Sequence, residues 1–180
     1  MEVKHFNISD TFEMVPDIFK DDRGIFFESF RAETFSKLGI KKPFIQDNHS
    51  FSYKNVLRGI HFQLSPYEQG KLVRVTYGKA YDVAVDLRPD SDTFGKYISV
   101  VLDSKLNNML YIPEGFGHGF VALEDCILQY KCTAYYHAPA DTGIRWDDQD
   151  LKISWPVENP ILSKKDSELP SFKSFIDNNI

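Results

Sequence analysis

The chain has 180 residues, 42% of them hydrophobic, with fifteen Phe and nine Tyr, which is enough for one buried core and too little for two complete domains. A formal charge of -5 with no Lys/Arg-rich block excludes a duplex nucleic-acid partner, whose phosphates need a basic stripe, and leaves a small ligand as the expected partner. No stretch reads as a membrane span, and Glu13, Asp17, Lys20, Asp21 and Asp22 interrupt the place of a signal peptide's apolar run, so a cytoplasmic location is expected.

In chain order, the first predicted element is a short helix over Arg31 to Gly39, with Phe35 and Leu38 on one side and Gly39 ending it. From about Phe44 to Tyr136, Phe, Tyr and β-branched residues are dense enough to favour strands over helices. The main polar cluster opens this stretch, as Gln46-Asp47-Asn48-His49, Arg58-Gly59-Ile60-His61-Phe62-Gln63 and Gln69-Gly70-Lys71. Alternation sets His61 with Gly59 and Gln63, opposite Ile60 and Phe62. A lone strand histidine is more often structural than basic, but Arg58, Lys71 and a second glycine-flanked histidine shift the balance toward a site.

Turn signals then recur at strand spacing: Tyr77-Gly78-Lys79, Arg88-Pro89-Asp90, Phe94-Gly95, the run from Asp103 to Asn108, and Pro113-Glu114-Gly115. Such spacing belongs to a sandwich or barrel. The strand Tyr81 to Leu87 alternates strictly, with Tyr81, Val83, Val85 and Leu87 on one face and Asp82, Ala84 and Asp86 on the other. Alone, the pattern favours a half-buried strand with a solvated carboxylate face. The sharper reading turns the acidic face into a polar cavity and the apolar face onto a second subunit.

In Ile112 to Phe120 the spacing Pro113-x-Gly115-x-x-His118 matches the second motif of the cupin superfamily, a set of small jelly-roll barrels. Its glycines permit close backbone approach. The first cupin motif should supply a His-x-His pair and a downstream Glu as metal ligands, yet the corresponding piece is His61-Phe62-Gln63. With that ligand missing, a metal site of His61, His118 and Glu68 is the weaker reading beside acid/base work by neutral imidazole.

Cys126 to Cys132 reads as one strand whose cysteines lie roughly 20 Å apart, too far for a disulfide, so reduced thiols are expected. Tyr130 shares a face with Leu128 and Cys132 and points inward; taken alone it is better read as a core tyrosine. Beyond Trp155, the prolines Pro156, Pro160 and Pro170 mark an irregular arm with at most a short helix near its end. The expected organisation is a single domain over residues 1–180, with an arm from about 155 to 180.

Eight pieces, in order along almost the whole chain, resemble the signatures of the dTDP-4-dehydrorhamnose 3,5-epimerase family: Asp22-Arg23-Gly24-x-Phe26-x-Glu28, Gln46-Asp47-Asn48-His49-Ser50, Leu57 to Gln63, Gln69 to Val75, Pro113 to Phe120, Tyr130-Lys131-Cys132-Thr133, Gly143 to Asp148, and Leu162-Ser163-x-Lys165-Asp166. The resemblance implies an all-β, cupin-type jelly roll with short flanking helices, forming a homodimer near its N-terminus. It implies inversion of dTDP-4-dehydro-6-deoxy-D-glucose at C3 and C5, giving dTDP-4-dehydro-L-rhamnose, with no cofactor and no metal.

By the same resemblance His61 is the general base, Asp166 orients it, Tyr130 is the acid on the opposite face of the sugar, and Lys71 stabilises the enolate oxygen. Arg58 and His118 match substrate-contacting positions. Gln46 and Asn48 match nucleotide-binding positions, as do Arg23 and Glu28, which the neighbouring subunit contributes. Asp141 and Lys165 match further binding positions, and Tyr136 lines the cavity if its strand extends that far. Tyr97 stands where the family pattern has Trp. Close relatives with nearly the same signatures invert only C3 or isomerise the ketosugar. Outside this class the alternatives are a metal-dependent cupin enzyme, against which Gln63 speaks, and a non-catalytic sugar-nucleotide-binding cupin.

Overall fold

A strand with one apolar face must lay that face on another layer, and here the alternation of successive strands builds two facing sheets. The computed structural model describes residues 1–8 and 10–179. Its elements are β1 (Glu2–His5), β2 (Phe12–Val15), β3 (Phe19–Asp21), β4 (Gly24–Phe26), α1 (Ala32–Lys37), β5 (Gln46–Ser52), β6 (Leu57–Gln63), β7 (Lys71–Tyr77), β8 (Lys79–Asp86), β9 (Tyr97–Asp103), β10 (Met109–Ile112), β11 (Phe116–Ala122), β12 (Cys126–Cys132), β13 (Asp141–Gly143), α2 (Lys164–Ser167) and α3 (Phe172–Asn179).

One sheet has the order β1-β2-β10-β7-β12-β5 and the other β13-β6-β11-β8-β9, while β3 and β4 form a separate hairpin. Strands adjacent in sequence repeatedly change sheet, β5 to β6, β7 to β8, β10 to β11, which is the wrapping of a jelly roll. Between the sheets lies an apolar core of Val73, Val75, Leu110, Ile112, Cys126 and Leu128 from the first sheet against Ala84, Val100, Leu102, Phe116 and Phe120 from the second. The two cysteines are buried at opposite ends of β12 and free. The predicted first helix is present as α1, with Phe35 buried beneath it and Gly39 at a φ of +98°.

Strand β8 resolves the alternation seen in the sequence. Asp82 and Asp86 are fully buried, so the carboxylate face is not solvated. The apolar face does not wait for a second subunit either. Val83, Val85 and Leu87 pack in one cluster with Leu151, Phe172 and Phe175, and Tyr81 meets Trp155 edge-on at 6.1 Å. The chain's own C-terminal part covers that face, with Leu151, Trp155, Phe172 and Phe175 packed against it.

The arm is also more ordered than the prolines suggest, with two short helices, α2 and α3, where at most one was expected. Its final residue, Ile180, lies outside the described residues. Buried Asp148 accepts hydrogen bonds from the main-chain N–H groups of Asp150 (3.0 Å), Leu151 (3.1 Å) and Phe172 (2.9 Å), fastening the start of α3 to the preceding turn. Phe172→Ala is expected to cost about 3–5 kcal/mol of unfolding free energy, the usual range for deleting a buried ring. Denaturant melts check this, and because the ring packs within its own chain, the loss should be the same at low and high protein concentration.

Candidate active site

His61 sits on β6, directly opposite His118 on β11. The two strands approach unusually closely just before it: a Cβ on Gly59 would lie 2.4 Å from the Cα of Gly119, and Gly59 has a φ of +127°. Only glycine fits both demands. The close approach also leaves the Gly59 N–H free to donate to Asp166 Oδ1 at 3.3 Å.

Asp166 arrives from the far end of the chain. The arm is stitched down ahead of α2, where Leu57 N donates to Ile161 O (3.0 Å) and Ile161 N to Asn55 O (2.9 Å), and behind it, where Arg145 N donates to Pro170 O (2.9 Å). Ser163 caps α2 by accepting from Asp166 N at 3.1 Å, and its hydroxyl donates to Asp166 Oδ2 at 2.6 Å. That leaves Oδ1 to meet His61 Nε2 at 2.5 Å.

Burial alone would raise the Asp166 pKa, but the hydrogen bonds from His61 and Ser163, the His61 charge and the Gly59 N–H together bring it down to about 2. The carboxylate is therefore ionised and accepts only, so Nε2 of His61 carries a proton toward it, and in the neutral ring Nδ1 is the nitrogen with the lone pair. That is the arrangement of an oriented general base.

The opposite sheet supplies different chemistry. Lys71 on β7 is buried, and among the described residues its Nζ has no hydrogen-bond or ion-pair partner; it lies 5.9 Å from the centre of the Tyr130 ring. Desolvation lowers its pKa, against the opposing pull of Cys132, Asp82 and Asp141. Tyr130 on β12 packs at the edge of the apolar core, and burial pushes its phenol up to about 12, so it is a proton donor at neutral pH. His118 is buried with Nε2 at 2.9 Å from Asp82 Oδ2; desolvation lowers its pKa, although the Asp82 carboxylate resists.

These groups line a single cavity of about 270 Å³, which also takes in Ser50, Arg58, Gln63, Gln69, Tyr136, Asp141 and Lys165. Arg58 is held by its own hydrogen bonds to Ser52 Oγ (3.1 Å) and Phe51 O (3.1 Å). At the mouth, Lys165 Nζ lies 2.5 Å from Asp141 Oδ2, which also accepts from the Tyr136 hydroxyl at 2.9 Å. Strand β12 ends at Cys132, so Tyr136 reaches this wall from a loop and not from the strand.

The structure thus gathers His61, Lys71, Arg58, His118, Tyr130, Asp141 and Lys165 in one place, with Asp166 behind His61. Gln46 and Asn48 stand beside it on the edge strand β5, where Gln46 Nε2 donates to Asn48 Oδ1 (3.2 Å), Gln46 Oε1 accepts from Tyr136 N (2.8 Å), and Asn48 Nδ2 lies 3.5 Å from Cys132 Sγ. Arg23 and Glu28 are elsewhere within this chain: Arg23 pairs with Asp21 on the β3–β4 hairpin at 2.6 Å, and Glu28 with Arg31 at 2.6 Å.

Ser163 was absent from the candidates read in the sequence, although Ser163-x-x-Asp166 is the spacing of a helix-capping pair and could have pointed to it. Asp82 was visible only as part of an acidic strand face. Among the described residues no group of three or more His, Cys, Asp or Glu is placed to hold a metal ion.

Residues 5–174 match the family described as dTDP-4-dehydrorhamnose 3,5-epimerase. The enzyme of that name from Escherichia coli (strain K12) is 49% identical over 172 residues, covering 94% of this chain and 93% of the relative. Among solved structures, the dTDP-6-deoxy-D-glucose-3,5-epimerase of Legionella pneumophila Philadelphia 1, in complex with dTDP-4-keto-L-rhamnose, superposes with a TM-score of 0.92 at 41% identity, over 96% of this chain and 93% of that one. A 3'-monoepimerase from Streptomyces bikiniensis, in complex with dTDP-quinovose, superposes with a TM-score of 0.89 at 32% identity, over 96% and 88%.

The depressed Asp166 pKa carries a stability signature. A folded value of about 2 lies below the ordinary 3.8, so the contribution is fully present above about pH 4 and is lost as pH falls through about 2. The stability advantage of the wild type over Asp166→Asn should therefore shrink by about 2 kcal/mol across that window. Denaturant titrations at stepped pH measure it.

Proposed function

Since the chain belongs to the dTDP-4-dehydrorhamnose 3,5-epimerase family, we propose that it uses the cavity of His61, Lys71 and Tyr130 to invert dTDP-4-dehydro-6-deoxy-D-glucose at C3 and C5, giving dTDP-4-dehydro-L-rhamnose. The observation that carries the assignment of roles is the placement of base and acid on opposite sheets: His61 on β6 faces Tyr130 on β12 across one cavity. Inversion needs a proton removed from one face of the sugar and another delivered to the opposite face, and two facing sheets supply that geometry.

Both C3 and C5 are α to the C4 ketone. His61 Nδ1 takes the proton from carbon, and the electron pair of the C–H bond moves into an enolate whose charge rests on O4. The Lys71 ammonium stabilises that charge, and with no hydrogen-bond or ion-pair partner among the described residues it is free to do so in a buried site, where such electrostatics count most. Tyr130 then protonates the carbon from the other side, recovers its proton from solvent, and His61 releases the one it took. Because both enolates place charge on the same oxygen, one lysine serves both steps.

Asp166 holds the His61 ring and offsets the imidazolium charge while the enolate exists. His118, kept neutral by burial, suits a hydrogen-bonding role toward the sugar, and Arg58 a bidentate contact with the diphosphate. Gln46, Asn48, Asp141 and Lys165 make up the nucleotide side of the site. No cofactor or metal takes part in this reading. The whole chain acts as one jelly-roll unit whose arm completes the site.

A homodimer completes the assignment of Arg23 and Glu28. The β3–β4 hairpin exposes Phe19, Ile25 and Phe26 to solvent, at 65%, 55% and 71%, and such a cluster needs cover. Strand β5 has a partner on one edge only, and Gln46 and Asn48 lie on it, so a hairpin from a second copy seated along that edge would bring Arg23 and Glu28 to the nucleotide. The buried free thiols agree with a reducing, cytoplasmic compartment.

Incubation of wild type with dTDP-4-dehydro-6-deoxy-D-glucose in D₂O should place deuterium at both C3 and C5. Label at C3 alone would instead favour the reaction of a 3'-monoepimerase, as the Streptomyces bikiniensis relative is named. His61→Ala should lose exchange at both carbons by a factor on the order of 10²–10⁴, the usual size of a positioned general base; near-native exchange at C5 would overturn its assignment. Sedimentation at micromolar concentration should give the dimer mass, and Phe26→Asp should shift it toward monomer with loss of activity.

A further inference from the structure

Gln63 stands two residues beyond His61 on the same face of β6, at the place where the cupin pattern has its second metal-ligating histidine. It is 5% exposed, and its amide is committed entirely to main chain. Nε2 donates to Tyr67 O at 2.6 Å and to Tyr135 O at 3.3 Å, while Oε1 accepts from His137 N at 2.6 Å. The fixed polarity of those groups dictates which end of the amide is which. Above them the Tyr67 and His137 rings stack at 3.7 Å with their planes 2° apart.

Residues 64–70 and 133–140 are the two loops so joined, and both border the cavity mouth. Gln69 Nε2 donates to Ala134 O at 2.8 Å, Tyr136 N to Gln46 Oε1 at 2.8 Å, and the Tyr136 hydroxyl to Asp141 Oδ2 at 2.9 Å. Asp141 itself lies opposite Gln63 in the β6–β13 register. We propose that Gln63 is a positioning residue that clasps these loops and so sets the wall of Gln46, Tyr136 and Asp141 against which the nucleotide part of the substrate binds.

The inference rests on reading the cavity as a dTDP-sugar site. Neutral histidine has one donor and one acceptor on a rigid ring, and a carboxylate has no donor, so neither reproduces two bonds to carbonyls and one from an N–H. His61 and Asp166 are held by hydrogen bonds that do not involve Gln63, and Lys71 and Tyr130 are carried by the strands β7 and β12. Loss of the clasp therefore reaches binding and leaves proton transfer intact.

The test compares full-length wild type with Gln63→Met and Gln63→Glu, measuring dTDP affinity by calorimetry and kcat and KM for epimerisation. In both variants the Kd for dTDP and the KM should rise about tenfold, as expected for lost positioning hydrogen bonds, with kcat within about twofold of wild type. Lowering the pH to protonate the new carboxyl restores one donor, so the Gln63→Glu to wild-type ratio of Kd values should fall toward one, while the Gln63→Met ratio stays constant. An unchanged Kd, or a fall in kcat matching that in kcat/KM, would overturn the proposal. If Gln63→Met does not fold, the pH dependence of the Gln63→Glu ratio decides alone: recovery supports the clasp and a flat ratio rejects it. Failure of the wild type to bind dTDP would overturn the functional reading instead.

Discussion

The hydrogen bond between His61 Nε2 and Asp166 Oδ1 joins residues 105 positions apart, and much of the structure is arranged so that it forms. A carboxylate cannot be kept ionised inside a protein unless several donors converge on it. Here three donors come from two separate segments: His61 and Gly59 from β6, and Ser163 from the turn before α2. The pairing of β6 with β11 through Gly59 and Gly119 brings the main chain near enough, and the stitching at Ile161 and Pro170 sets where α2 lies. Loosening the arm at Phe172 would thus reach His61 without touching it.

A second consequence follows from placing the site inside a sandwich. The same dryness that pushes the Tyr130 phenol up to about 12 also lowers the pKa values of Lys71 and His118. In the proposed reaction these shifts suit Tyr130 to donate a proton, His118 to hydrogen-bond without charge and Lys71 to sit near one oxygen. The apolar core supplies this environment at no separate cost, because Tyr130 packs against the cluster that holds the two sheets together. Stability and catalysis draw on the same burial, and the polar residues survive it because most of them are paired.

The two outer faces of the sandwich are treated differently. The five-stranded sheet is covered by the chain's own arm, whereas the N-terminal hairpin exposes apolar side chains beside a sheet with an open edge. Covering one face internally leaves association to the N-terminal side, where the proposed dimer places it. Gln63 marks a comparable division of labour within the site. A position suited to a metal ligand in other barrels of this type bonds to the main chain of two loops here.

Local patterns in the sequence determined a good deal of this. Period-two alternation separated His61 from Ile60 and Phe62, the turn signals marked the strands, and Gly115, Gly117 and Gly119 announced tight backbone approach, because each depends on neighbours within a few residues. The ordered family signatures pointed to candidates, several of which the fold brings to one cavity. Tertiary structure alone decided what covers each face and which groups meet. The apolar face of β8 looks the same in sequence whether a second subunit or a C-terminal arm lies on it, and only the path of residues 144–176 shows that it is the arm. Likewise Asp82 reads as an exposed acid until His118 is found beside it on the neighbouring strand, and Gln63 reads as a missing ligand until two loops close on its amide. Burial and hydrogen bonding across sheets are properties of pairs far apart in the chain, so a one-dimensional pattern carries the face of each residue but not its partner.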